Sequence, residues 1–285
     1  MPKEETNMNT LKQSLKRLIP VWLGKKIRGT YQKMLGLYYK GNKYHCPYCK
    51  HSFRKMLTDG ETHPVITKYQ IIGSGLRDNC TCPRCYSKDR DRLIHLYLEK
   101  KTDIFTSKKP TRVLHIAPEA WLKELFQSLA HVEYTYGVKG VKNMGYYYDR
   151  KTLELDITKL AIDDNTYDII VCNHVLEHIP DDTQALKEIY RILKPGGWAI
   201  LQVPHSNLLE NTYEDESIVE PKEREKHYGQ FDHVRVYGKD YPKRLEFVGF
   251  QVEQFNPKNE TWGKEYIDRY ALNSNENLFV AKKLP

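Results

Sequence analysis

No stretch of this 285-residue chain approaches the length of apolar run that spans a bilayer. Its first ten residues, MPKEETNMNT, hold no apolar core of the kind that directs export. Internal repeats and low-complexity tracts are missing as well. These absences exclude a spanning helix, a solenoid and a wholly disordered chain, and the location we expect is cytoplasmic. Hydrophobic residues make up 40% of the chain, enough for a real core, and the length allows one ordinary domain with something smaller beside it. Six cysteines in a reducing compartment read as thiols or metal ligands, not disulfides.

The net charge of +8 is unevenly placed. Lys12, Lys16, Arg17, Lys25, Lys26, Arg28 and Lys33 all precede any substantial acidic cluster. An anionic partner is therefore expected for the N-terminal part, with nucleic acid, phospholipid and anionic glycan all open. Leu11, Leu15, Leu18 and Trp22 recur at helical spacing among these cations, interrupted by Pro20. A basic amphipathic segment over 9–40 either lies on an anionic membrane, making the protein membrane-peripheral, or docks on its own domain; the spacing suits both.

CPYC (Cys46, Cys49) and CPRC (Cys82, Cys85) follow. Each pair can present two thiolates to one tetrahedral ion, and Zn²⁺ is the usual occupant of an all-sulfur site. A redox reading needs only one such pair and a βαβ context absent here. Four thiolates leave no open position, so the zinc would be structural, in a small zinc-ribbon-like module over 41–100. Cys80 is then the spare, and Cys172, inside an apolar run, is a small buried hydrophobe.

From residue 111 the pattern becomes α/β. RVLHI, EYTYGV, YDIIVCN and WAILQV are short β-rich runs separated by helical periodicity, the pattern of a doubly wound, mostly parallel sheet over 101–285. In one connecting helix Asp181 or Asp182 caps the start, Ala185, Leu186, Ile189 and Leu193 form the apolar stripe, and Pro195-Gly196-Gly197 stops it. KRLEFVGF reads as a last helix before a closing antiparallel pair, FQVEQF and NLFVAKK.

YDIIVCNHVLEHI, followed by ALKEIYRILKPGGWAILQVP, resembles the fourth strand, helix and fifth strand of class I S-adenosylmethionine-dependent methyltransferases, of the small bacterial type. The resemblance spans roughly 111–285 and implies a seven-stranded Rossmann-like sheet with S-adenosyl-L-methionine as cofactor. With the paired cysteines, the chain is similar to a bacterial group that carries an N-terminal zinc ribbon and a first motif of the LHxAPE kind. That motif lacks the usual three glycines, and His115, Ala117, Glu119 and Trp121 stand in their region. The cofactor has no pyrophosphate, so the phosphate argument for glycine does not apply. Glu119 is then the partner for its ammonium, and small Ala117 leaves room for the chain to pass.

The resemblance assigns further cofactor positions. Where an acid normally meets the ribose hydroxyls stands Lys139, a donor without acceptor capacity; either Asp149 or another acid reaches the ribose, or affinity is low, or the chain is an inactive relative. Asp156 matches the acid that receives the adenine amino group, with Ile157 packing nearby; a helix cap is its plainer role. Asn173 and His174 close the fourth strand, at the edge where ligands of open α/β sheets bind.

Methyl transfer requires an aligned nucleophile and, for a hydroxyl, a base. The polar insertion 204–240 reads as a substrate lid. Its candidate bases are His233, with neighbouring Asp232, and His205; Arg235 and Tyr213 are candidates for substrate contact, the former for an anionic group. The expected activity is O-methylation of a polar acceptor, on a sugar or glycan. An RNA methyltransferase gripping RNA through the zinc module and basic segment is a second reading, although the strand ends in CNHV and not in an Asn-Pro-Pro-Tyr motif. The third is a binding protein without catalysis, motivated by Lys139 and the missing glycines.

Overall fold

The computed structural model describes residues 21–140 and 149–285. The expected amphipathic positions Leu11, Leu15 and Leu18, with Pro20 and the cations Lys12, Lys16 and Arg17, lie outside the described residues. No helix among the described residues is long and apolar enough to cross a membrane.

Helix α1 (Val21–Tyr38) leads into the cysteine module: β1 (Lys40–Cys46), β2 (His51–Phe53), β3 (Leu57–Asp59), α2 (Pro64–Tyr69) and β4 (Arg77–Thr81). Two antiparallel ribbons, β1 with β2 and β3 with β4, carry the cysteine pairs. The next helix, α3 (Asp89–Lys101), buries Leu93, Ile94, Leu96, Tyr97 and Leu98 in one core with Val113, Val171 and Ile200 of the large sheet. The helix that the boundary at residue 100 gives to the cysteine module is therefore packed as part of the sheet's helical layer.

The large sheet contains β5 (Thr111–Ile116), β6 (Val132–Val138), β7 (Leu153–Glu154), β8 (Tyr167–Asn173), β9 (Leu193–Gln202), β12 (Gln251–Phe255) and β13 (Leu278–Lys282). Their spatial order is β12-β13-β9-β8-β5-β6-β7, with β13 antiparallel to both neighbours and the other pairs parallel. Leu114, Val171 and Ile200 in the three central strands are fully buried because helices cover both faces. Helices α4 (Ala120–Gln127) and α5 (Asp182–Ile192) connect parallel strands. Asp181 caps α5, its carboxylate accepting the Gln184 N–H at 2.9 Å, and Ala185, Leu186, Ile189 and Leu193 are buried as the stripe requires.

Two details differ from the sequence reading. Helix α5 ends at Ile192, and β9 already begins at Leu193. Pro195-Gly196-Gly197 is thus an irregularity within the strand: Gly196 has φ +79°, and the Gly196 N–H donates to Lys283 across the sheet at 2.8 Å. KRLEFVGF does form α7 (Tyr241–Phe247), but it is not the last helix, because α8 (Gly263–Tyr270) lies between the two closing strands.

The insertion after β9 folds as β10 (Tyr213–Glu214), α6 (Pro221–Tyr228) and β11 (Arg235–Val236). Ile72 of the cysteine module is bridged to His205, and His205 to Tyr237, so this module, the end of β9 and the insertion are joined by backbone hydrogen bonds. Arg92 fastens the two parts from the other side. Fully buried, it donates to the carbonyls of Asn79, Cys80, Ser87, Tyr270 and Ala271.

Candidate active site

The parallel strands β5 and β8 end side by side, and each turns sharply on a residue other than glycine. Ala117 follows β5 with φ +52° and donates its N–H to Gly137 O at 2.8 Å; His174 follows β8 with φ +50°. Left-handed backbone at such residues costs about 1–3 kcal/mol and collects at functional sites. The turn without glycine therefore adopts a conformation glycine would favour, and alanine is the smallest side chain that can be placed there.

Behind this turn a polar relay is assembled. His115, fully buried, bonds through Nδ1 to Tyr134 Oη at 2.9 Å and through Nε2 to Glu119 Oε2 at 2.8 Å. The Asn173 amide donates to Glu119 Oε1 at 3.2 Å. Burial pushes the Glu119 carboxyl up, but the hydrogen bond and charge of His115 outweigh it and hold the group below the usual carboxylate range. Glu119 is thus ionised and fixed in direction, with its side chain 17% exposed. These are the properties an ammonium partner needs.

Lys139 follows β6 directly, so it occupies the position that the resemblance gives to the ribose acid, and its Nζ stands 2.7 Å from Asp156 Oδ2. Asp156 also accepts from the N–H and hydroxyl of Thr158, a short turn and not a helix cap. Ile157 is buried in the core beside it. Asp149 points elsewhere, to Lys123 at 2.6 Å and to the Tyr136 hydroxyl.

The cysteine module roofs the edge of β8. At Gly73, φ +90°, a Cβ would meet His174 Cε1 at 3.3 Å and Glu276 Oε1 at 3.5 Å, and the Gly73 carbonyl accepts from Arg90 Nη1 at 3.1 Å. Around this contact several buried side-chain atoms have no hydrogen-bond partner: Arg90 Nε, Asn173 Oδ1, His174 Nε2, both Glu177 oxygens and Glu276 Oε2. An unpaired buried polar group costs about 1–3 kcal/mol. Native proteins keep few of them, and a concentration at one edge marks a place where water, an ion or a ligand completes the bonding.

The expected acceptor-side residues separate. His233 is buried beside His178, with ring centroids 4.7 Å apart, and both lie by Glu177. Asp232 contacts the ring of His178 (3.3 Å) and the amide of Gln230, not His233. Burial lowers His233 to about 4, and nearby His178 adds to the shift. His205 is also lowered to about 4 by burial; its ring packs on Phe279 and its backbone carries both bridges described above. Arg235 donates three hydrogen bonds to the carbonyls of Leu176, Ile179 and Pro180 in the turn after β8, and its Nε pairs with the Glu214 carboxylate, so the guanidinium is engaged within the protein and not held open for a substrate anion. Tyr213 bonds His227 and packs with Tyr69 and Tyr228 between α2 and α6. Sequence reasoning missed Arg90, Glu177 and Glu276, which lie in three distant segments with no shared motif.

In the module, Cys46, Cys49, Cys82 and Cys85 place their sulfurs within 4.8 Å of one another, with Cys46–Cys85 at 3.5 Å and Cys49–Cys82 at 3.8 Å. Four thiolates about 2.3 Å from one tetrahedral ion would stand roughly 3.8 Å apart, so the donor set fits zinc. Cys80 points away to Asp89, and Cys172 is enclosed in the core.

The seven-stranded sheet with one reversed strand, β13, agrees with the Rossmann-like sheet that the resemblance implies. Residues 118–201 match the family of the methyltransferase domain. Over 62 residues it is 37% identical to a demethylmenaquinone methyltransferase of Lactiplantibacillus plantarum, covering 22% of this chain and 23% of that one. Over 107 residues it is 29% identical to a sterol 4-C-methyltransferase of Caenorhabditis elegans, covering 38% and 29%. An arsenite methyltransferase of Aquipseudomonas alcaligenes is 35% identical over 75 residues, covering 26% and 21%. The chain thus spans about a quarter of the length of these curated relatives. Among solved structures, a SAM-dependent methyltransferase from Archaeoglobus fulgidus aligns over 70% of this chain and 96% of its own, at 14% identity and a TM-score of 0.43.

Proposed function

We propose that this chain is an S-adenosylmethionine-dependent methyltransferase whose acceptor is a hydroxyl of a sugar or another polar glycan component. The observation that carries the reading is the set of unpaired buried polar atoms gathered where β5 and β8 end, beside an ionised Glu119. When bound, the cofactor supplies an electrophilic methyl carbon. Glu119, held by His115 and Asn173, receives the cofactor's ammonium; Asp156 accepts the adenine amino group, with Ile157 against the ring. The chain's other tasks are to exclude water, which the Gly73 roof does, and to orient the acceptor and take its proton. The polar groups available for that are His174 and the Glu177–His178–His233 group. His233 is neutral at pH 7 and can accept a proton, although burial makes it a weak base taken alone. The four cysteines hold one structural zinc that shapes the roof.

Helix α1 supports peripheral attachment to an anionic membrane. Ile27, Tyr31, Met34 and Tyr38 form an exposed apolar stripe, with Lys26, Arg28 and Lys33 exposed around it. Binding to vesicles containing anionic lipid but not to neutral ones, abolished by Tyr31→Glu with Met34→Glu, is the expected result.

A second reading, a binding protein without catalysis, draws on the Lys139–Asp156 pair, which ties up the expected adenine contact. Calorimetry with S-adenosylmethionine and its demethylated product, followed by a screen of hydroxylated acceptors for methyl transfer, separates the two. No binding of either compound would overturn the enzyme reading.

A further inference from the structure

We propose that Glu177, His178 and His233 form a second metal site, separate from the four cysteines, that takes one divalent transition-metal ion. One ligand atom from each of the three lies within 4.8 Å of the others. Glu177 and His178 sit on the short 3-10 turn Leu176–His178 after β8, while His233 comes from the insertion. The two segments are held together independently of any ion. Val234 N–H donates to Glu177 O at 2.9 Å, and Arg235 grips the carbonyls of Leu176, Ile179 and Pro180. The donors are therefore brought together by backbone contacts and do not depend on the metal for their placement.

The observation that points to a ligand is Glu177. Its side chain is 1% exposed, and neither carboxylate oxygen has a hydrogen-bond partner; His174 Nδ1 stands 3.2 Å from Oε1 but outside hydrogen-bonding geometry. Burying a carboxyl group without a partner is costly, and proteins resolve the cost by retaining the proton or with a hydrogen bond, a paired charge or a metal. A cation beside Glu177 would meet the His178 and His233 rings, which stand nearly perpendicular at 82°. Asp232 Oδ2, 3.3 Å from His178 Nδ1, adds a further negative charge and is placed as the carboxylate that orients a ligating histidine.

Two imidazoles and one carboxylate suit zinc, iron, manganese or cobalt, whereas magnesium and calcium prefer all-oxygen sites. Three protein ligands leave a position for water or an acceptor oxygen, unlike the closed four-cysteine site. An ion there would polarise an acceptor hydroxyl so that its proton is lost to water, and His233 would then act as a ligand and not as the direct base. This deepens the acceptor side of the proposed function, yet it is read from metal content alone, so its failure and the failure of methyl transfer are distinguishable.

The test uses the full chain, zinc-loaded and washed free of weakly bound ions, then titrated with Co²⁺. The expected result is uptake of about one further equivalent, from the single three-ligand site, with weak visible absorption and without the intense thiolate band that cobalt on cysteine would give. Glu177→Gln and His233→Gln should each weaken this uptake more than tenfold while keeping the cysteine-bound zinc and the parent's circular dichroism. Asp232→Asn should weaken it by about 10–100-fold. Failure of the parent to take up Co²⁺, Zn²⁺, Mn²⁺ or Fe²⁺ beyond the cysteine site overturns the proposal. So does an extra equivalent that shows a thiolate band or persists unchanged in both variants. If either variant misfolds, the stoichiometry and spectrum of the parent decide alone.

Discussion

Lys139 and Asp156 face each other across the ends of β6 and β7, with Nζ and Oδ2 2.7 Å apart. The hydrogen bond from Lys139, with two more from Thr158, holds the Asp156 carboxyl at about 2, so it is ionised at any physiological pH. Both side chains are substantially exposed, so the pair contributes little to stability. Its effect should appear in ligand binding. Asp156→Ala is expected to weaken S-adenosylmethionine by ~1.5–3 kcal/mol, the loss of one charge-assisted hydrogen bond, with the melting temperature nearly unchanged. Calorimetry showing equal affinity would remove Asp156 from the cofactor site.

Gly73 is the point at which the cysteine module touches His174 at the end of β8. Gly73→Ala would force an L side chain into φ +90° and place its Cβ 3.3 Å from His174. We expect a stability loss of roughly 1–3 kcal/mol from backbone strain, measured by urea unfolding. Displacement of His174 should also lower turnover beyond what the stability change explains. A variant as active and stable as the parent would show that the roof does not bear on the site.

The sheet was legible because its strands are apolar runs of the right length, and Ala185, Leu186, Ile189 and Leu193 repeat at helical spacing. The irregular start of β9 was not, since Pro195-Gly196-Gly197 signals a helix stop as readily as a strand bulge. Nor was α8 evident, lying in a polar stretch between two clear strands. In the site, the clustering of the four cysteines could be read from local spacing, and Glu119 could be picked out through the resemblance. Arg90, Glu177 and Glu276 could not, because what sets them apart is burial without a partner, a property of the fold. Arg235 was misleading for the same reason: a guanidinium looks available in a sequence until its carbonyl partners are known.

Arg92 joins the cysteine module to α3 and to the end of α8 through five carbonyls. Arg92→Ala would remove a donor from each of these acceptors; Ser87 O keeps the Cys82 N–H, and each of the others left without a partner or water costs ~1–3 kcal/mol. A loss of at least ~3 kcal/mol is therefore expected. Arg92→Lys should not restore it, since three donors on one nitrogen cannot reach acceptors spread around a planar fork. Chemical denaturation of the three proteins checks this, and full rescue by lysine would contradict the geometry.

If the four cysteines hold zinc as proposed, its removal should act on the same seam. Cys46→Ser and Cys85→Ser are each expected to lower zinc content by about one equivalent, since each breaks the same closed site. Proteolysis should then become faster within 40–88, while β5, β8 and β9 stay protected. Full zinc occupancy in both variants would sink the four-cysteine assignment.

His205 and His233 provide the sharpest separation between a structural and a reacting histidine. Burial holds His205 at about 4, below the ordinary 6.5. Between those values the unfolded chain is protonated there while the folded protein is not, so unfolding takes up a proton. Stability from this group therefore rises with pH across about 4 to 6.5 and is flat above, by up to ~3 kcal/mol. His205→Phe should remove that part of the slope, seen as a smaller difference in unfolding free energy between pH 4.5 and pH 7, and should leave turnover within a few-fold. His233→Ala is expected to slow methylation of a hydroxyl acceptor by about 10²–10⁴-fold with cofactor affinity nearly intact, because its group acts on the acceptor and not on the bound donor. Loss of turnover in His205→Phe with none in His233→Ala would exchange their roles. If neither substitution slowed the reaction tenfold, the acceptor would not need its proton removed by this insertion, and a thiol or amine would replace the hydroxyl as its reacting group.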